Sequence, residues 1–407
     1  MTARFSIFAA VLLYLGTSGS KAQNNSGPSK PVLNGIDHLA AQNFAPLVGL
    51  RIGLITNQTG IDRNKRSSID LIANAPGVKL VALFSPEHGI RGKLETSTID
   101  DFRDTETGIP VYSLYKNKIR KPTREQLRNL DALIFDIQDI GCRFYTYIST
   151  MGLCLEAAAD SGKKFIVLDR INPIGGLGVD GPIRIGPSKF TAYHDIAIQH
   201  GMTIGELARM INKERDLQAD LLVIPIQNWK RKQLFDSTGL PWVNPSPNIR
   251  NLTQAILYPG IGLVEFTKLS VGRGTATPFE IIGAPYIDGR QLAEKLNARQ
   301  LPGVKFVPAT FTPNSSIFAN EKCNGIKIIL TRREDYQALN TGLIIARTML
   351  NLYPKDFDPN QKLNTLLLHP PTLKAITERQ SLSDIRKLWQ PDLQNFVKRR
   401  KHYLIYP

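Results

Sequence analysis

Hydrophobic positions along the chain fall into short unbroken runs. LRIGLIT (50–56), VKLVALF (78–84), DALIFDI (131–137) and KFIVLD (164–169) come in order, and LLVIPI (221–226) follows. Runs without a polar alternate position mark strands buried on both faces. The segments between them have helical spacing. SSIDLIANA (67–75) is one, and PTREQLRNL (122–130) carries a Thr123…Gln126 capping box. STMGLCLEAAADSG (149–162) opens on Ser149 or Thr150 as N-cap and stops at Gly162, and TIGELARMINKE (203–214) opens on a Thr203…Glu206 box. Apolar strands alternating with helices predict an α/β fold with a doubly wound, mostly parallel sheet.

The texture changes between residues 236 and 285, where turn formers and glycines punctuate a polar stretch. Helix QLAEKLNARQL (291–301), strands GVKFVPATF (303–311) and GIKIILT (325–331), and helix YQALNTGLIIARTML (336–350) predict a smaller second α/β domain. The boundary is expected near Leu257, which gives domains 34–256 and 257–407. At the other end, Arg4 and the apolar stretch 5–16 precede the small residues of TSGSKA (17–22). That order predicts a signal peptide over 1–22, followed by a polar linker over 23–33. Export to the periplasm or the medium follows, with no stable membrane insertion after cleavage, because no later apolar run is long enough to span a bilayer.

Of 407 residues, 42% are hydrophobic and 21% charged, as in ordinary globular proteins. The formal net charge of +16 points to an anionic partner or to a solvated basic surface. No nucleic-acid-binding signature accompanies it, so nucleic acid is set aside. The basic KRRK (398–401) reads as a solvated face beside a final strand in HYLIYP (402–407). Three cysteines, Cys142, Cys154 and Cys323, are too few and unpaired for a disulfide framework and are expected as buried thiols.

In an open parallel sheet, ligands lie beyond the carboxyl ends of the strands. Here those ends are polar: Asn57 and Gln58; Glu87 and His88, with Arg91; Asp136, Gln138, Asp139 and Arg143; then Asn172. Amides and carboxylates in that place suit a polyhydroxylated substrate such as a sugar. Tyr145 and Tyr147 offer flat faces or hydroxyls, or else pack in the core. Glu87 is the main candidate for chemistry, as a general acid at a strand end, with His88 to orient it or act as base. A metal site of Glu87, His88 and Asp139 is an alternative that no spacing demands. Gly176, Gly178 and Gly181 match GxGxxG, but Asn172-Pro173 intervenes after a later strand and no helix follows, so dinucleotide binding is rejected. No cofactor is implied.

Longer strings carry a resemblance. GLITNQTGID (53–62), LFSPEHGIRG (83–92), IFDIQDIGCRFYTYISTM (134–151), LDRINPIGG (168–176) and YPGIGLVEFTKLSVGRGTATPFEIIGAP (258–285) stand in order along nearly the whole chain after the linker. On them the chain resembles the NamZ-type exo-β-N-acetylmuramidases, long catalogued as a domain of unknown function. The resemblance implies a Rossmann-like domain and a smaller C-terminal domain closing a cleft. It also implies release of N-acetylmuramic acid from the non-reducing end of peptidoglycan fragments, with Glu87 as catalytic acid. Arg273, Thr275 and Glu265 would complete the cleft from the second domain, with Arg273, Arg91 or Arg143 binding the lactyl carboxylate. Two departures stand out. Phe266 and Lys268 occupy positions where the family pattern has a small residue and an amide, and Ile171 stands where it has proline. The second catalytic group is left open among Asp136, Asp139, Glu265 and the sugar's own acetamido group. The rival reading is a non-catalytic envelope protein that binds muropeptides, and a weaker one is a metal-dependent amidase.

Overall fold

A computed structural model describes residues 30–87, 89–90, 101–115, 120–358 and 362–407. The expected signal peptide, most of the linker, His88 and Arg91 lie outside the described residues. Pro31–Pro407 pack as one compact unit.

Its main sheet has seven strands: β1 (Arg51–Thr56), β2 (Lys79–Ser85), β3 (Phe102–Arg103), β4 (Pro110–Ser113), β5 (Ala132–Asp136), β6 (Lys164–Leu168) and β7 (Leu221–Ile224). The order is β3-β4-β2-β1-β5-β6-β7, and every neighbouring pair is parallel except β3–β4. β5 shows why the strands are unbroken apolar runs. Leu133 and Phe135 enter one core cluster and Ala132 and Ile134 the other, and all four are fully buried. Side chains alternate across the sheet, so a strand covered on both faces needs an apolar residue at every position. The helices Gly35–Ala41 and Ser68–Ala73 contribute to one cover, and Tyr147–Asp160 and Ile204–Glu214 to the other.

The second cover runs without interruption into a three-stranded antiparallel sheet of β8 (Ile281–Ala284), β9 (Val304–Phe311) and β10 (Cys323–Leu330), ordered β8-β10-β9. A boundary near Leu257 falls inside the helix Leu252–Ile261, where Ala255, Leu257 and Ile261 are fully buried. This helix packs closely on the helix Ala338–Leu352 through two glycines. A Cβ on Gly260 would stand 2.0 Å from the Ala338 carbonyl oxygen, and one on Gly342 would stand 2.3 Å from that of Gly260. The connection is therefore a packed helix pair and not an exposed linker.

Three expectations need correction. The helix expected to begin at Ser149 or Thr150 begins at Tyr147 with Thr146 as N-cap. Both hydroxyls are spent elsewhere, Ser149 donating to the Phe190 carbonyl and Thr150 to that of Thr146. β3, β4 and β8 were not anticipated. Finally, HYLIYP forms no strand, and of the basic residues before it Lys398, Arg399 and Arg400 belong to the helix Gln390–Arg400, with Lys401 at its C-cap. The tail is laced into the first lobe instead. Tyr406 donates to Asp169 Oδ2 at 2.5 Å and accepts from the Ile226 N–H. Arg231 reaches the Tyr406 and Gly201 carbonyls and pairs with Glu206, which also accepts from the Ile405 N–H. Arg400 donates to the Gly176 and Gly201 carbonyls, so it is not a solvated charge. The three cysteines are free and buried.

Two predictions follow from these contacts. Glu206 is fully buried, so Glu206→Ala leaves the Arg231 charge buried without its carboxylate, a loss of about 3–5 kcal/mol. Urea unfolding should show a clearly lowered midpoint, with a smaller drop for Glu206→Gln. His369, 2% exposed, accepts from the Thr372 N–H as a helix cap, and burial pushes its pKa down to about 4. Arg143 adds to that depression and Asp392 opposes it. As pH falls from 6.5 towards 4 the unfolded chain takes up a proton that the native imidazole refuses, so stability drops in that window. His369→Asn keeps a capping oxygen and should flatten the dependence of unfolding free energy on pH there.

Candidate active site

β2 carries the chain to Ser85, and Pro86 and Glu87 follow at the carboxyl edge of the sheet. Gly89 then turns the backbone at φ 78°, a conformation that favours glycine, with its N–H on the Pro86 carbonyl. Glu87 is left half-buried, and the Thr146 hydroxyl donates to its Oε2 at 3.3 Å. Thr146 lies one residue before the helix Tyr147–Asp160, so helix and strand end hold the carboxylate between them.

Four tyrosines lie near enough to this carboxylate to feel its charge. Tyr115, Tyr145, Tyr147 and Tyr258 all have hydroxyls held above the usual phenol range, chiefly by burial, with the Glu87 charge adding to the effect at each. They remain neutral donors. Tyr145 stands edge-on to Tyr147 at 5.2 Å and to Tyr258 at 6.0 Å between ring centroids. Tyr258 also feels Glu265 and Arg273, so the aromatic group links the Glu87 carboxylate to residues from the second lobe.

On that far side Arg273 pairs with Glu265 at 2.5 Å, and its guanidinium carbon lies 5.3 Å from the Phe279 ring centroid. Burial works against the Arg273 charge, but Glu265 and the nearby tyrosines outweigh it and raise its pKa. The glycines on either side are sterically required. At φ 79° and 78°, a Cβ on Gly272 or Gly274 would come within 2.6 Å of Ile281 Cγ2 or the Ser315 nitrogen. Beside Arg273 opens a polar cavity of about 830 Å³, lined by Arg250, Arg273, Thr275, Asn248, Asn314 and Ser315 among others.

The remaining strand-end residues divide into two groups. Asn57 uses its Oδ1 on the Thr59 N–H and hydroxyl, while its buried Nδ2 has no hydrogen-bond partner. Gln58 donates to the Asn244 carbonyl and leaves Oε1 buried and unpartnered. Asp139 accepts from the Gly141 N–H and faces His200 Nε2 at 3.4 Å, with Oδ1 unpartnered. Buried polar atoms without partners are uncommon and mark places where a ligand or water completes the bonding. Thr275 lines the cavity and donates to the Gly272 carbonyl.

The other group is spent on holding the fold. Asp136 is fully buried in a bidentate pair with Arg170 at 2.6 and 2.9 Å, so its oxygens do not face a groove. Arg143, 1% exposed, donates to the Pro182, Leu366 and Leu367 carbonyls and is not available to bind a substrate carboxylate. Gln138 donates to the Asp139 and Ile171 carbonyls. Asn172 donates to the Met202 carbonyl and accepts from the Ile174 N–H. His88 and Arg91 lie outside the described residues, which leaves the metal alternative built on His88 without a position for one member. Among the described residues no three His, Cys, Asp or Glu side chains are grouped to hold a metal ion. Thr146, Tyr115 and Tyr258 were missed as site residues. Thr146 and Tyr258 were signalled only by their place inside the quoted motifs and Tyr115 by none of them, because a tyrosine in an apolar run reads equally well as core.

Comparisons with known proteins agree along the whole length. The N-terminal family model of the exo-beta-N-acetylmuramidase NamZ matches residues 52–253, and the C-terminal model matches residues 256–406. The peptidoglycan beta-N-acetylmuramidase NamZ of Bacillus subtilis is 44% identical over 415 residues, covering 99% of this chain and 100% of its own. Two crystal structures of DUF1343 family proteins from Bacteroides fragilis are also similar. One has a TM-score of 0.87 at 37% identity over 93% of this chain and 100% of that one, and the other a TM-score of 0.74 at 32% identity over 92% and 99%. With the fold, both halves of the family pattern and a full-length curated relative in agreement, the chain belongs to the NamZ exo-beta-N-acetylmuramidase family.

Proposed function

We propose that this protein is an exo-acting glycosidase that releases N-acetylmuramic acid from the non-reducing end of peptidoglycan fragments, with Glu87 as the general acid. The observation that carries the role of Glu87 is its place: half-buried at a strand end and held by the Thr146 hydroxyl, with neutral tyrosines nearby that also feel Arg273 and Glu265. As the bond between the anomeric carbon and the glycosidic oxygen breaks, the Glu87 carboxyl gives its proton to that oxygen. The leaving sugar departs as an alcohol, and water ends on the anomeric carbon. His88 is assigned the orienting or basic role beside it.

The second group is the substrate's acetamido oxygen. This choice is supported by what the other carboxylates do: Asp136 pairs with Arg170, Glu265 pairs with Arg273, and Asp139 turns one oxygen to Gly141 and His200, leaving Oδ1 for a sugar hydroxyl. The acetamido oxygen attacks the anomeric carbon, and water then opens the cyclic intermediate. The lactyl carboxylate is received in the polar cavity, where Arg273 and Arg250 supply the positive charge. Asn57, Gln58, Tyr145 and Thr275 are assigned to sugar hydroxyls. Export to the periplasm or the medium, through a signal peptide over residues 1–22, brings the enzyme to this substrate. The lobes 34–256 and 257–407 are assigned as the catalytic and cleft-closing domains. The rival reading, a muropeptide-binding protein, has one feature in its favour: Phe266, 46% exposed, stands next to Glu265 as a ready stacking surface.

Glu87→Gln should lower kcat on a chromogenic N-acetylmuraminide by about a hundred- to ten-thousandfold with the fold intact. Turnover close to that of the wild type removes Glu87 from the role, and binding of muropeptides by a wild type that forms no product favours the rival. Proton NMR of the first-formed muramic acid should show retention of configuration, since two inversions restore it; an inverted product excludes the acetamido route. Arg273→Lys should raise KM for the muraminide by about tenfold and leave an N-acetylglucosaminide, which lacks the lactyl group, comparatively unaffected.

A further inference from the structure

A second cavity lies on the outer side of the helix Tyr147–Asp160. It measures about 510 Å³ and is lined by Arg120, Lys121, Leu153, Lys189, Phe190 and Arg215 among others. Its lining joins the apolar Leu153 and Phe190 and the Tyr193 ring to four cations and one carboxylate, Glu156. Two of the cations are already matched, Arg215 by Glu156 at 3.1 Å and Lys121 by Asp160 at 3.7 Å. Among the described residues no carboxylate pairs with Arg120 or Lys189. The Arg120 guanidinium is instead laid over the Phe190 ring, 3.8 Å from its centroid, and stands 5.4 Å from that of Tyr115.

That last contact connects the cavity to the active site. Tyr115 packs edge-on to Phe190 at 5.7 Å, its hydroxyl lies 3.4 Å from that of Thr150, and it also feels the Glu87 charge. The Ser149 hydroxyl fastens the loop to the helix at the Phe190 carbonyl. Thr146 holds Glu87, whereas Leu153 and Glu156 lie seven and ten residues further along the same helix. At 1.5 Å per residue that is about 10–15 Å, beyond the reach of a single sugar ring but within that of a short glycan.

We propose that this cavity is a distal subsite of the glycan, in which Arg120 and Lys189 bind the lactyl carboxylate of a second muramyl unit while Leu153 and Phe190 support its sugar ring. The inference rests on the muramidase reading, and it adds a preference that the reading does not contain: the enzyme favours fragments with more than one muramyl unit. An apolar lining with cations that no carboxylate pairs among the described residues suits a sugar bearing one carboxylate better than a neutral glycan.

The test measures binding and does not depend on turnover. Calorimetry at low salt compares the tetrasaccharide of two alternating muramic acid–glucosamine units, free of peptide, with its methyl-ester form, on Glu87→Gln protein with and without Arg120→Gln and Lys189→Gln. Thermal unfolding checks each variant, and the exposed Lys189→Gln alone serves if the double variant misfolds. The expected result is a Kd for the acid about three- to tenfold weaker after the substitutions, narrowing with added salt, and no change for the ester. An unchanged Kd for the acid overturns the subsite. So does equal competition by inorganic polyphosphate, which would mark a general polyanion patch. A loss that appears only with peptide-bearing fragments assigns the cations to the stem peptide and likewise overturns it. A wild type that releases no muramic acid counts against the muramidase reading alone, since the Kd comparison still decides the subsite.

Discussion

Asp136 and Arg170 meet at the carboxyl edge of β5 and β6 with almost no exposure to solvent, 0% and 3% at their side chains. The rest of the edge is built around this pair. Arg170 also donates to the Ile61 carbonyl, and the Thr56 hydroxyl donates to the Asp136 carbonyl, so the ends of β1, β5 and β6 and the loop after β1 are tied at one point. A buried pair of this kind is not a cheap source of stability, because desolvation offsets most of its Coulomb attraction. Its geometry is what matters: two planar groups in bidentate contact fix direction as well as distance. With those three ends fixed, Gln138, Asp139 and the backbone around Thr59 have defined positions, and the Thr59 hydroxyl accepts from the Gln138 N–H at 2.9 Å.

The same pair shows what the sequence made legible and what it hid. Strands covered on both faces announce themselves, since between their polar ends β1, β5 and β6 carry unbroken runs without a charged residue. β4 and β8 are short, and β8 lies inside a segment whose glycines and prolines read as turn. It is a strand because β10 pairs with it, a long-range fact that no local propensity carries. At the strand ends, composition said that polar residues gather but not which way each points. Asp136, Arg143 and Asn172 are as polar as Glu87 and were given to the substrate on that ground. Each instead satisfies buried partners, and only coordinates separate a carboxylate facing a guanidinium from one facing a groove. The tail misled for a related reason. A basic run before an apolar hexapeptide looks like solvent followed by strand, yet Arg400 and Tyr406 are anchors.

The positive surplus reads differently once positions are known. Several arginines are turned inward to backbone carbonyls, and burial pushes the Arg143 and Arg400 guanidinium groups down to about 10. They remain charged at neutral pH and serve as multidentate donors that close the ends of loops from distant parts of the chain. Counting such residues as surface charge overstates the attraction of the protein for polyanions. The charge that matters for an anionic glycan is the smaller set left at cavities, chiefly Arg250, Arg273, Arg120 and Lys189.

That distribution bears on the choice between catalyst and binder. A protein that only binds muropeptides gains from any cation near the sugar. Arg273 is committed to Glu265, a carboxylate from its own lobe, and both sit against tyrosines that also feel Glu87. Burying an acid, an ion pair and four neutral phenols together costs desolvation that affinity alone does not require. The arrangement makes sense where a proton must move: the phenols stay neutral, Arg273 stays charged, and Glu87, half-buried, accepts a hydrogen bond from the Thr146 hydroxyl. Among the described residues no arginine pairs with the Glu87 carboxylate, whereas Glu265 is held by Arg273, and glycosidic bond cleavage asks for a carboxyl not spent on such a pair.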